Sequence, residues 1–264
     1  MPFLNKVVLI TGAGSGIGEA AVIKFAKGHA RLALVDLRAD ILKKSAENCE
    51  KISKTKVLKI VADVSKEDDV KRIVEVTLKE YGRLDVLVNC AGIHGEVTIF
   101  DNNIMEKFDN IIKVNLRSMV ALTHAASVAL IESKGNIVNV SSVRAKAGAA
   151  SFAYSVSKAG VSQFTKAAAL DLSPHVRVNA VLPGPVKTNL MIHAGLGSKP
   201  SLAGKEPLKR ETKTEDVAEL ITFLASEAAT SITGSEYVVD GGFLYIRSEK
   251  LIGTSRGSIP QPSD

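Results

Sequence analysis

A chain of 264 residues, 45% of them hydrophobic, is long enough for one sizeable core, and a single α/β domain reaches this length. The net charge of +6 is scattered rather than blocked and aromatic residues are only 5%, which argues against nucleic acid as a partner. Two distant cysteines, Cys49 and Cys90, form neither a metal spacing nor a disulfide framework, and no signal peptide or membrane-spanning run is evident, so a metal-free cytoplasmic protein is expected.

In chain order, an apolar strand at 6–10 runs into the glycine cluster TGAGSGIG, Thr11 to Gly18, which opens a helix at 16–29. Glycines let a backbone approach a phosphate closely, and the helix start adds free N–H groups and a positive dipole end. The spacing is T-G-x-x-x-G-x-G through Thr11, Gly12, Gly16 and Gly18, not G-x-G-x-x-G; a ligand-free turn is the plainer alternative. The second strand, 31–36, ends in Asp36, a position from which a carboxylate accepts both ribose hydroxyls of NAD and repels the 2′-phosphate of NADP. Its plainer reading is a helix cap. The turn carries no basic residue, so NAD(H) is favoured, while nearby Arg38 keeps NADP(H) open.

Helices at 39–53, 66–81, 104–132, 153–172 and 214–226 alternate with strands at 57–63, 84–92, 135–142, 176–184 and 236–242. The strands are rich in Val, Ile and Leu without polar alternation, as strands covered on both faces are. Strand and helix in repetition predict an α/β fold: a single-domain, doubly wound, seven-stranded parallel sheet with helices on both faces. The domain is expected to span 1–246, with a Gly/Pro-punctuated loop at about 189–213 and a polar tail at 247–264.

The stretch YSVSK places Tyr154 and Lys158 four apart on a helix, so they share a face. A free tyrosine, with a pKa of about 10, is a poor base at neutral pH. A neighbouring ammonium favours the phenolate. Taken alone, this pair is a surface feature.

Several motifs in order change that weighting: TGAGSGIG, ADV (62–64), NCAG (89–92), KVN (113–115), VNVSS (138–142), YSVSK (154–158), VLPGPVKT (181–188) and VVDGG (238–242). With them the chain, from Lys6 to about Phe243, resembles the short-chain dehydrogenase/reductase family, among its 3-oxoacyl-reductase-like and hydroxysteroid-dehydrogenase-like members. Cys90 stands where the family commonly has a second asparagine. The resemblance implies a Rossmann fold and a catalytic set of Asn115, Ser142, Tyr154 and Lys158. It implies cofactor contacts at Gly12, Ser15, Gly16, Ile17, Gly18, Asp36, Asp63, Val64, Asn89, Ala91, Gly92, Tyr154, Lys158, Pro183, Gly184, Val186 and Thr188. Asp63 would meet the adenine, although a strand-end cap serves equally well as an explanation. Ser142 would position the substrate oxygen, leaving Ser141 structural. Asn115 would distort its helix and complete a proton path to Lys158. His94, Arg144, Met191 and Ile192 are candidates for substrate contact, with solvent exposure the plainer reading for His94. No grouping suggests a metal.

The expected activity is NAD(H)-dependent interconversion of a secondary alcohol and a ketone, with Tyr154 as acid/base. The alternatives are an NADP(H)-dependent carbonyl or 3-oxoacyl-type reductase and a non-catalytic NAD(H)-binding regulatory protein. A small-molecule substrate is the expected partner, and the resemblance implies a homotetramer or homodimer.

Overall fold

The structure, a computed structural model, describes residues 2–147, 151–188, 190 and 206–245. The elements are β1 (Val7–Thr11), α1 (Gly16–Lys27), β2 (Arg31–Asp36), α2 (Ala39–Ser53), β3 (Leu58–Val61), α3 (Glu67–Tyr81), β4 (Val86–Asn89) and α4 (Ile104–Ile112). A π-helical turn (Lys113–Arg117) leads into α5 (Ser118–Ser133). Then come β5 (Asn136–Val140), a 3-10 turn (Val143–Ala145), α6 (Phe152–Asp171), β6 (Arg177–Pro183), α7 (Thr214–Ala225) and β7 (Glu236–Val239).

The seven strands form one sheet in the order β3-β2-β1-β4-β5-β6-β7, parallel at every pairing. Successive side chains in a strand point to opposite faces. On β1 this sends Val8 and Ile10 into a core shared with Phe25, Leu42, Val217 and Ile221 of α1, α2 and α7. Val7 and Leu9 enter the opposite core with Ile73, Leu122, Leu130 and Ala168 of α3, α5 and α6. All five β1 residues are buried. Such two-sided burial explains the continuous apolar runs of the sequence.

Several strands end before their apolar runs do: β7 stops at Val239 rather than 242 and β3 at Val61 rather than 63. The strand predicted over 84–92 stops at Asn89, because the N–H groups of Cys90 and Ala91 leave the ladder and donate to the Thr11 hydroxyl, each at 3.1 Å. The helix predicted over 104–132 opens into the π turn at Lys113–Arg117, the distortion that the resemblance implies at Asn115, which is fully buried. By length and composition the stretch Ile104–Ser133 is apolar enough to cross a membrane, which corrects the reading that no segment approaches such a span. Its apolar residues Leu122, Ala126 and Leu130 are fully accounted for by packing against Leu87 and Ile137 of the sheet. The tail at 247–264 and most of the loop at 189–213 lie outside the described residues.

An ionic cluster ties the 3-10 turn and α6 to β7. The Glu236 carboxylate accepts from Lys146 at 2.8 Å and lies 3.3 Å from Lys166. Burial alone would raise its pKa from 4.5, but the hydrogen bonds from Lys146, Ser162 and Lys166 outweigh that and bring it to about 2. A depressed carboxylate pKa contributes stability that is fully present above 4.5 and lost as pH falls toward 2. Both lysines are half exposed, so solvent screens the pairs. Glu236→Gln is expected to cost about 1–2 kcal/mol at neutral pH. It should also flatten the acid limb of a Tm-against-pH profile between pH 4.5 and 2.

Candidate active site

In open parallel sheets a ligand crevice forms beyond the strand C-termini where the strand order reverses. Here that point lies between β1 and β4. The turn leaving β1 is built so that backbone can approach backbone. Gly12 has φ +66°, and a Cβ there would stand 3.0 Å from Ala91 Cα. A Cβ on Gly18 would fall 2.0 Å from the Gly12 carbonyl oxygen. Ser15, extended at φ −158°, is the N-cap of α1, and its side chain caps none of the helix N–H groups. Thr188 faces the turn from the segment after β6, 3.2 Å from where a Gly16 Cβ would be.

Asp36 ends β2 beside this turn. One carboxylate oxygen accepts from the Gly14 N–H and the other from the Arg38 N–H, both at 3.0 Å.

The NCAG turn is held from both sides. Thr11, 1% exposed, takes the two N–H groups already named and donates toward the Val88 carbonyl. Asn89 donates to Asn139 on β5 at 2.9 Å, and Asn139 donates to the Thr165 hydroxyl on α6 at 3.0 Å. This buried chain fixes α6 across the ends of β4 and β5. Asn115 exchanges hydrogen bonds with the Ile93 backbone, accepting at 2.8 Å and donating at 2.9 Å, and also donates to Ser157 on α6 at 3.0 Å.

Tyr154, Lys158 and Ser142 meet at the mouth of this arrangement. Lys158 is 4% exposed, and its Nζ donates to the Val140 carbonyl at 2.8 Å. That Nζ lies 5.7 Å from the Tyr154 ring centroid. Burial pulls the Lys158 pKa down to about 8. The Tyr154 phenol is pushed up to about 12 by burial, opposed by the Ser142 hydroxyl and the Arg144 guanidinium. Desolvation of the phenol outweighs the groups that counter it, the Ser142 hydroxyl by a hydrogen bond and the Arg144 guanidinium by its charge. Ser142 is the N-cap of the 3-10 turn, accepting from the Arg144 N–H at 3.2 Å.

A family model described as enoyl-(acyl carrier protein) reductase matches residues 12–244. The chain is 37% identical over 243 residues to a 3-oxoacyl-[acyl-carrier-protein] reductase of Thermotoga maritima, covering 91% of this chain and 98% of that protein. A short-chain dehydrogenase/reductase of Armillaria gallica is 38% identical over 254 residues, covering 91% and 97%. Among solved structures, a 3-ketoacyl-(acyl-carrier-protein) reductase from Brucella melitensis, complexed with NADH, matches with a TM-score of 0.83. It is 35% identical and covers 90% of this chain and 98% of that one. The chain belongs to the short-chain dehydrogenase/reductase family. Like its relatives named as dehydrogenases and reductases, it is a Rossmann-fold, nucleotide-binding oxidoreductase acting on CH–OH groups.

Within this family member the residues singled out from the sequence fall at one end of the sheet, with a few differences. Ile17 and Val186 pack against the core beneath the glycine turn, and Val64 is buried at the end of β3. Asp63, two residues beyond β3, accepts from the Ser65 N–H at 3.0 Å. Pro183 ends β6, and a Cβ on Gly184 would lie 2.7 Å from Asp240 Cβ, so the VVDGG segment backs the LPGP turn. Ser141 is structural: buried, it donates to the Lys158 carbonyl at 2.8 Å. His94 does not point away into solvent; its ring centroid is 4.5 Å from that of Tyr154. Met191 and Ile192 lie outside the described residues.

Asn139, Thr165 and the bridging role of Thr11 went unread in the sequence. Their signal was there, since polar residues inside runs meant for two-sided burial must find partners. Asn139→Ala removes the partner of the buried Asn89 amide and is expected to cost about 1–3 kcal/mol. A lowered urea midpoint, with reduced turnover from a loosened α6, checks this.

Proposed function

We propose that the protein is an NAD(H)-dependent oxidoreductase that interconverts a secondary alcohol and a ketone. The observation that carries this reading is the meeting of Tyr154, buried Lys158 and Ser142 beside a glycine turn whose Cβ-free surface suits a dinucleotide.

The residues present fit such a cofactor. Gly12, Ser15, Gly16, Ile17 and Gly18 would cradle the pyrophosphate, Asp36 the adenosine ribose, and Asp63 with Val64 the adenine. Asn89, Ala91 and Gly92 would line the nicotinamide side with Pro183, Gly184, Val186 and Thr188, while Tyr154 and Lys158 would hold the second ribose. A Cβ on Gly92 would sit 3.3 Å from Asn115 Oδ1 and 3.7 Å from Lys158 Nζ, so the turn has room for a ligand only where glycine leaves it. When bound, the nicotinamide supplies or accepts the hydride.

In the reductive direction the Ser142 hydroxyl and the Tyr154 phenol donate to the carbonyl oxygen. Tyr154 then gives up its proton to that oxygen, and the Lys158 ammonium steadies the phenolate left behind. Asn115 holds the Ile93 loop and α6 in register and completes the proton relay to Lys158. Oxidation runs the same steps in reverse. His94 against the Tyr154 ring and Arg144 behind Ser142 would form the near wall of the substrate pocket.

Asp36, with both oxygens oriented by backbone N–H groups, favours NAD(H). Arg38, exposed two residues on, is the observation that favours NADP(H), and initial rates with NADH and NADPH decide between them. Exposed apolar residues on α5 (Val120, Val128), α6 (Val156, Leu170) and β7 (Val238) support a homotetramer. The two free cysteines suit the cytoplasm.

Tyr154→Phe is expected to lower turnover roughly 10²- to 10⁴-fold while cofactor affinity stays within a few-fold; unimpaired turnover would sink the mechanism. For ketone reduction, Tyr154 is a neutral acid below about 12, whereas Lys158 carries its charge only below about 8. The reduction rate should therefore hold at neutral pH and fall as pH rises through about 8, a limb that Lys158→Ala should abolish along with most activity.

A further inference from the structure

Gly14 is the one glycine of the turn that the T-G-x-x-x-G-x-G spacing leaves without a task. Its φ is not positive, so backbone conformation does not require glycine there. What requires it is a neighbour. A Cβ at this position would stand 2.9 Å from Asp36 Oδ2 and 2.6 Å from both Cγ1 and Cδ1 of Ile41. The missing side chain is therefore the space that the Asp36 carboxylate and Ile41 occupy.

The same residue holds that carboxylate by its N–H. Asp36 Oδ2 accepts from Gly14, and Oδ1 accepts from Arg38, each at 3.0 Å. A carboxylate offers about four lone-pair sites over its two oxygens. One backbone donor on each oxygen fixes the plane of the group and leaves each oxygen a second site for a hydroxyl. Two adjacent hydroxyls on a ribose match this pair. A phosphate in place of one of them meets a negative charge that these two hydrogen bonds hold in place.

We propose that Gly14 is a positioning residue for cofactor choice: its N–H and its lack of a side chain lock Asp36 in the orientation that accepts a ribose diol. This rests on the reading of Asp36 as the NAD(H)-selecting residue. Gly14 acts through Asp36, and its substitution changes selectivity rather than the turn's hold on the pyrophosphate. A Cβ there obliges Ile41 and the Asp36 carboxylate to shift. The crowded atoms belong to side chains, Asp36 and Ile41, and not to backbone.

The test is a double-mutant cycle on Kd, measured by calorimetric titration of NADH and NADPH into wild type, Gly14→Ala, Asp36→Ala and the double variant. Gly14→Ala should weaken NADH roughly tenfold, as expected when a hydrogen bond to a charged group is disturbed. It should leave NADPH nearly unchanged, and in the Asp36→Ala background it should have almost no effect on either. Equal weakening of both cofactors, or the same loss of NADH affinity with Asp36 already removed, overturns the proposal by making Gly14 a plain part of the phosphate turn. The wild-type pair of titrations tests the parent reading separately. Tighter NADPH binding there would sink NAD(H) preference, while the coupling of positions 14 and 36 would still be read from the cycle. Thermal melting of each variant separates loss of fold from loss of affinity, and a folded Gly14→Ala with unchanged NADH Kd also overturns the proposal.

Discussion

The site depends on α6 being held to the ends of β4 and β5 by hydrogen bonds that water cannot reach. Asn89, Asn139 and Thr165 run from strand to strand to helix, and Ser141 adds a bond to the Lys158 carbonyl. Each of these groups is buried, so an unmade bond would cost the full desolvation of its polar atoms. Apolar packing alone would let a helix slide along a sheet by fractions of an ångström. With the Asn115 bond to Ser157, directional bonds at three points of α6 fix its rotation and height, and with them the placement of Tyr154 and Lys158.

Burial sets the electrostatics of that placement. Lys158 keeps one partner, the Val140 carbonyl, and its pKa falls toward neutrality; Tyr154 is pushed the other way. At neutral pH Tyr154 therefore rests neutral, while Lys158 is charged but lies close to the pH at which it gives up its proton. A proton moves readily between such groups once an added positive charge or a reacting oxygen tips the balance, because a dry setting magnifies every added charge. The Ser142–Arg144 turn already leans in that direction. Its own position is secured by Lys146 reaching Glu236 on β7, which links the last strand of the sheet to the turn that carries Ser142.

Much of this architecture was legible in one dimension. Unbroken apolar runs between helical stretches implied strands covered on both faces, and the glycine cluster at the end of the first implied the crevice beside it. The seven motifs after the glycine turn gave the family, and most of the residues they named lie at the same end of the sheet. Where the reading of the sequence erred, the cause was a side chain overriding local pattern. Thr11 ended the fourth strand early by capturing two N–H groups. The opening of the helix at Asn115, by contrast, was implied by the resemblance.

By itself the sequence determined the order and type of the elements, the parallel sheet and the family, because these follow from periodicity and from glycine and proline at fixed spacings. It also named Tyr154, Lys158, Ser142 and Asn115. Only the tertiary structure decided how those groups are charged, since burial depends on what the rest of the chain lays over them. It alone showed that the His94 ring packs against Tyr154, that Ser141 bonds the Lys158 carbonyl, and that Gly14 makes room for Asp36. Each of these is a contact between residues far apart in the chain, and no spacing along a sequence encodes which atoms will meet once it has folded.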